Sequence, residues 1–191
     1  LFPMVAKVRE LDEALELLAR AHRELMEECQ ATVKPKVGVM IEVPSAVFLT
    51  KALAARVDYL SVGTNELPQY ILAADRTNAR VTAPNDALHP AVLNAIDMII
   101  RDAHAQSTPV SVCGEMAGDP AGALVLLGMG VDALSMSPAS FGRIKLVIRA
   151  FTLKRARALA DQALGKEDEG QVRSLLNDAL KGAGILKHSS R

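Results

Sequence analysis

Apolar and polar positions along the chain follow two alternating rhythms. Short, nearly unbroken apolar runs at residues 2–5, 37–43, 58–62, 110–113 and 133–136, several rich in Val and Ile, predict five strands. Between most of them the apolar positions recur every three or four residues. Residues 9–28 set Leu11, Ala14, Leu15, Leu18 and Leu25 on one stripe with acids and bases opposite, which predicts an exposed amphipathic helix. Residues 89–105 repeat that spacing with Val92, Ile96, Ile99 and Ile100, and Pro90 suits a first helical turn. Further helices are predicted over 121–129, 141–163 and 169–183.

Strands that alternate with helices argue for a parallel sheet, because parallel neighbours need a crossover that a helix supplies. A doubly wound sheet usually brings a Gly-rich turn, GxGxxG or GxxxxGKS/T, between a strand and a helix, and neither occurs here. A (β/α)8 TIM-type barrel instead gathers its chemistry at the carboxyl ends of successive strands. Glu42, Asn65 with Glu66, Cys113 with Glu115, and Ser137 all fall at such ends. With five strands countable, the expected fold is α/β: an incomplete (β/α)8 barrel, about its last five units, over residues 1–150. Residues 151–191 read as a C-terminal helical extension that closes in a frayed basic tail, KHSSR. No internal repeat is read.

Composition narrows the classes of function. Half of the 191 residues are hydrophobic, which excludes intrinsic disorder. Lys and Arg number 22 against 22 Asp and Glu, so no excess of positive charge points to nucleic acid or to an anionic membrane. No apolar run approaches the ~18 residues of a spanning helix, and residues 1–13 lack the regions of a signal peptide. Two distant cysteines, Cys29 and Cys113, form neither a CxxC pair nor a disulfide framework, and the cytoplasm is the expected compartment. The chain opens on Leu1 with no initiator Met, which reads as a cut made inside a larger protein.

Five residues carry candidate chemistry. Glu42 ends the apolar run GVMIE, where an acid is desolvated unless a cation is near; capping the next helix is the other reading. Asn65 and Glu66 close DYLSVGTNE, in which Gly63 and Thr64 suggest a backbone brought close to a ligand, although both could cap a helix that starts near Leu67. Glu42 and Glu66 together suit Mg²⁺, which takes one or two carboxylates and completes its octahedron with substrate oxygens and water. Arg76 carries a planar fork for phosphate or carboxylate, against a pair with Asp75 or a solvated charge. Cys113, followed by Gly114 and flanked by Glu115 and Asp119, is either an inert core thiol or a catalytic one. Among the histidines, His89 reads as part of a helix start.

Taken together, LFPM, GVMIEVPSA, DYLSVGTNELPQYILAADR, VCGEMAGDP and ALSMSP resemble, in their order, the PEP-utilising enzymes, whose C-terminal domain is a (β/α)8 barrel that binds phosphoenolpyruvate (PEP) and Mg²⁺. Within them CGEMAGD and QYILAADRTN are most similar to Enzyme I, the PEP-protein phosphotransferase, and DRTNARV with DALHPAVL resembles its nitrogen-related branch. The resemblance implies that Glu42 and Glu66 ligate Mg²⁺ and that Asn65 and Arg76 hold the PEP phosphate. It implies that Cys113 protonates C3 of enolpyruvate to give pyruvate. The phosphoryl acceptor would be a histidine on a separate N-terminal domain, which passes the group to a phosphocarrier protein, and the enzyme would be a homodimer. The family's remaining phosphate-binding arginines lie upstream of Leu1, so the chain by itself would be inactive. One departure stands out: the family's GTNDL is GTNEL here. A dikinase or PEP synthase barrel, or a regulatory module with weakened catalysis, is the alternative.

Overall fold

A computed structural model describes residues 1–28, 33–74 and 87–186. The helix α1 (Val8–Glu27) leads into β1 (Gly38–Ile41), the short helices α2 (Pro44–Phe48) and α3 (Thr50–Ala54), and β2 (Tyr59–Gly63). Then come α4 (Glu66–Ile71), α5 (Pro90–His104), β3 (Val110–Cys113), α6 (Glu115–Gly118), α7 (Pro120–Met129) and β4 (Ala133–Ser135). Three helices close the chain: α8 (Pro138–Ala150), α9 (Leu153–Leu164) and α10 (Glu169–Gly182).

The four strands are all parallel and lie in chain order, β1-β2-β3-β4. An order without reversal winds in one direction, so right-handed crossovers place the helices on one face. Burial follows that geometry. Val39, Ile41, Leu60, Val62, Val110 and Val112 point to the helix-covered face and are fully buried there, packed with Val92, Ile96 and Ile99 of α5. The register puts Met40, Ser61, Gly63, Ser111, Cys113 and Ser135 on the opposite face, where small and polar side chains replace aliphatic ones.

Five strands were expected and four form among the described residues; the run at 2–5 is reduced to one bridge, Phe2 with Val39. Phe2 pairs with both Gly38 and Met40 of β1. The ladder then stops because Met4, at φ 55°, turns its N–H away from the strand to the Glu42 carboxylate. A second difference is the break in the predicted helix over 141–163. Phe151 is extended there, and the Thr152 hydroxyl accepts the N–H of Arg155 to start α9 as a new helix.

VDYLS and VDALS, at Val57–Ser61 and Val131–Ser135, build one device twice. In the first copy the Asp58 carboxylate accepts the Val37 N–H at 2.7 Å while its own N–H binds the Val37 carbonyl. In the second, Asp132 does the same to Val110, with 2.8 Å from the N–H to the carboxylate. Each aspartate thus locks the start of its strand to the strand before it.

The C-terminal helices share the main core. Ala156, Ala160 and Ala163 of α9 and Val172, Leu176 and Leu180 of α10 are buried with α7, which is apolar all round. The crossing of α7 and α9 is close enough that a Cβ at Gly128 would lie 2.2 Å from the Ala156 carbonyl oxygen.

Candidate functional site

Extending the register by one residue puts Glu42, Gly63, Cys113 and Ser135 in a single row across the carboxyl ends of the strands. Gly63 separates the carboxylate from the thiol. A Cβ at Gly63 would meet Glu42 Cβ and Oε2 at 2.9 Å, so the glycine makes room for the acid. Its backbone was expected to approach a ligand; among the described residues, what it approaches is the Glu42 side chain.

Glu42 is only 4% exposed. Its Oε1 accepts the Met4 N–H at 2.7 Å, and no other hydrogen bond or ion pair engages the side chain among the described residues. The alternative that Glu42 caps the following helix is not realised, because Val43 is the capping residue of α2. A buried carboxylate with one oxygen unengaged is costly until a cation or a donor arrives. Glu66 stands in the first turn of α4, half-buried and also without an ion pair among the described residues. The two acids offer hard oxygen donors at neighbouring strand ends, a set that fits Mg²⁺. No cluster of three or more His, Cys, Asp or Glu able to hold a metal occurs among the described residues, so the remaining positions would fall to substrate and water.

Asn65 occupies the cap position of α4 but makes no capping hydrogen bond. Its side chain crosses to the start of α6 instead, where Oδ1 accepts the Glu115 N–H at 3.2 Å. With the carbonyl oxygen so engaged, the amide nitrogen is left to donate. Thr64 pins the same crossing, since its hydroxyl donates to the Cys113 carbonyl at 2.7 Å. Gly114 is required here: its φ is +116°, and a Cβ would sit 2.6 Å from the Thr64 hydroxyl. A cleft of about 580 Å³ opens beside this junction, lined by Asn65, Glu115, Asp119, Ser135, Ser137 and Ser140 among others. Its size is within the usual range for small-molecule sites.

The Cys113 thiol is half-buried, one residue before Gly114 of the cleft wall. Its Sγ lies 3.4 Å from the Val62 carbonyl, to which it donates, and 3.6 Å from the Ser61 hydroxyl. Ser61 was not singled out from the sequence. Asp119 caps α7 through Gly122 and meets Arg173 of α10 at 3.3 Å. His89 caps α5 through Nδ1, as its place before Pro90 suggested. Arg76 and Cys29 lie outside the described residues. The structure therefore groups Glu42, Asn65, Glu66 and Cys113 at one end of the sheet, with Asn65 on the cleft wall.

Comparison with known proteins follows the same lines. Residues 1–153 match the family described as PEP-utilising enzyme, PEP-binding domain. The chain is 45% identical over 174 residues to a protein of Salmonella typhimurium named "Phosphoenolpyruvate-dependent phosphotransferase system", covering 91% of this chain and 23% of that protein. It is 46% identical to the phosphoenolpyruvate-protein phosphotransferase of Cupriavidus necator, with 86% and 28% covered. For the Haemophilus influenzae protein of the same name the identity is 41%, with 94% and 32% covered. The chain thus spans a third or less of the length of these curated relatives. Among solved structures, a citrate lyase from Burkholderia xenovorans LB400 matches with a TM-score of 0.54 at 18% identity, covering 97% of this chain and 67% of that one, a likeness of α/β fold alone.

Proposed function

The chain belongs to the PEP-utilising enzymes, within their PEP-binding domain, and from that premise we propose that it is the PEP-binding part of a PEP-protein phosphotransferase of the Enzyme I type, in the nitrogen-related branch. The longer protein would move the phosphoryl group of PEP to a histidine on its N-terminal domain, thence to a phosphocarrier protein, and release pyruvate. Its four strands and the Phe2 bridge are the last five strands of a (β/α)8 barrel over residues 1–150. Residues 151–191 form the extension that buttresses it, and the working enzyme is a cytoplasmic homodimer. Among the described residues no helix is long and apolar enough to cross a membrane.

The observation that carries this reading is the row at the strand ends. A buried carboxylate with an unengaged oxygen and a half-buried thiol flank one glycine, which supplies a metal side and a proton side to one small substrate. Glu42 and Glu66 would hold Mg²⁺, which when bound would supply positive charge to the site. Asn65, its Oδ1 already engaged, donates from its amide nitrogen to a phosphate oxygen. Arg76 is assigned to the same phosphate on the resemblance alone. Cys113 gives its proton to C3 of the enolate left when the phosphoryl group departs, and pyruvate forms.

In the complete parent enzyme, Cys113→Ala should leave PEP binding intact and lower pyruvate formation by roughly 10²- to 10⁴-fold, the range of a positioned acid. Weakened PEP binding with unchanged turnover would show that the cysteine only packs.

A further inference from the structure

We propose that Ser61 is a positioning residue for Cys113: its hydroxyl holds the sulfur and stabilises the thiolate left behind when the thiol has given up its proton. The inference rests on the proton-donor reading of Cys113 and assigns a task to a residue outside the metal and phosphate contacts.

Ser61 sits on β2 directly beside Ser111, one step along the strand face from Gly63 and Cys113. It is 5% exposed, and its Oγ lies 3.6 Å from Cys113 Sγ. The thiol proton is directed at the Val62 carbonyl oxygen, 3.4 Å away. A carbonyl can only accept, so the sulfur donates to Val62 and receives the hydroxyl proton of Ser61. The other flank of this row is acidic: Glu42 lies across Gly63, and Glu66 and Glu115 begin α4 and α6.

Proton transfer breaks the S–H bond and forms a C–H bond at C3; the electron pair of the broken bond stays on sulfur. At that moment the Val62 carbonyl loses its donor and faces an anion, an unfavourable contact. The Ser61 hydroxyl is then the donor to the sulfur among the described residues, and hydrogen bonds to ionised groups are the stronger kind. Water afterwards returns a proton to the thiolate. The same hydroxyl holds the sulfur against β2, which keeps the side chain in one rotamer for the transfer.

The test uses the complete parent enzyme with PEP, Mg²⁺ and a phosphocarrier. Ser61→Ala should lower kcat by about 10- to 100-fold, the effect of removing a donor to a charged group, with KM for PEP within twofold of wild type. Ser61→Thr keeps the hydroxyl and should restore most of the rate. Independently of turnover, alkylation of Cys113 by iodoacetamide at pH 8, followed on the Cys113 peptide by mass spectrometry, should slow by a similar factor in Ser61→Ala, because the sulfur that attacks the reagent loses its hydrogen-bond donor. The surrounding carboxylates are unchanged in every variant. Wild-type kcat and alkylation rate in Ser61→Ala overturn the proposal, as does a loss of activity that tracks a fall in melting temperature and is not rescued by threonine. Undiminished turnover in Cys113→Ala would instead overturn the proton-donor reading, and the role of Ser61 with it.

Discussion

Gly128 and Gly142 are both helical, yet exchanging each for alanine should move stability in opposite directions. Replacing glycine in a helix interior with alanine stabilises by about 0.5–1 kcal/mol, because the unfolded chain loses freedom that the helix has already given up. At Gly142 in α8 an added Cβ meets nothing within 4 Å, so the gain should appear in full. At Gly128 in α7 it would lie 2.2 Å from the Ala156 carbonyl oxygen and 2.7 Å from both the Ala156 carbonyl carbon and the Ala160 Cβ. These separations are roughly 1 Å or more short of an ordinary non-bonded contact, and two of the three atoms are backbone, which cannot rotate away. The helices must part, at a cost of about 1–3 kcal/mol for an overpacked core, larger than the helical gain. With roughly 2–4 °C per kcal/mol at this chain length, Gly128→Ala should melt a few degrees below wild type and Gly142→Ala about 1–4 °C above it. Thermal melts and urea titrations at one fixed protein concentration measure both, since association would make the midpoint depend on concentration. A Gly128→Ala protein as stable as wild type would refute the close crossing of α7 and α9.

Two further outcomes are expected. Glu66→Asp restores the ligand length usual in the family; if Glu66 reaches Mg²⁺ from the start of α4, metal affinity measured by calorimetry on the complete enzyme should be equal or tighter, whereas a marked drop would show a site built around the longer arm. Burial pushes the Asp132 carboxyl up, but the Val110 N–H and then His104 outweigh it, and its pKa ends below the ordinary 3.8. Its contribution to stability is therefore full above that ordinary value and fades as pH falls through the lowered one. Asp132→Asn should be less stable than wild type at neutral pH, and the gap should narrow in urea titrations below about pH 4; a gap independent of pH would mean that the charge plays no part.

Strands β1 to β4 and the long helices were legible because their apolar runs and spacing are regular, and burial enforces that pattern. The helices α2, α3, α4 and α6 run four to six residues and show no full period, so only the cap candidates beside α2 and α4 hinted at any of them. The break at Phe151 hides for another reason: the apolar stripe continues through it, and only the Thr152 cap marks a second start. At the site, the acids and the cysteine were visible as polar residues ending apolar runs. Ser61 was not, because serine on a strand face is unremarkable until the register sets it beside a sulfur. The part played by Met4 was equally hidden, since it acts through its backbone N–H and a φ of 55° that side-chain chemistry does not encode.

The two faces of the sheet explain why the chemistry collects where it does. A strand alternates its side chains, so once the face under the helices is committed to Val39, Ile41, Leu60, Val62, Val110 and Val112, every second residue is released from packing that core. Those released positions include Glu42, Ser61, Gly63, Ser111, Cys113 and Ser135. Parallel pairing without reversal then aligns them, residue beside residue, and Glu42, Gly63, Cys113 and Ser135 become neighbours although they are far apart in sequence. The aspartates of VDYLS and VDALS hold two of the three pairings at the opposite ends of the strands, β2 on β1 and β4 on β3, because a slip of one residue there would turn Ser61 or Ser135 into the helix-covered face. Register, held at one pairing by Asp58 and at the next by the β2–β3 ladder itself, is therefore what brings the carboxylate and the thiol to either side of one glycine.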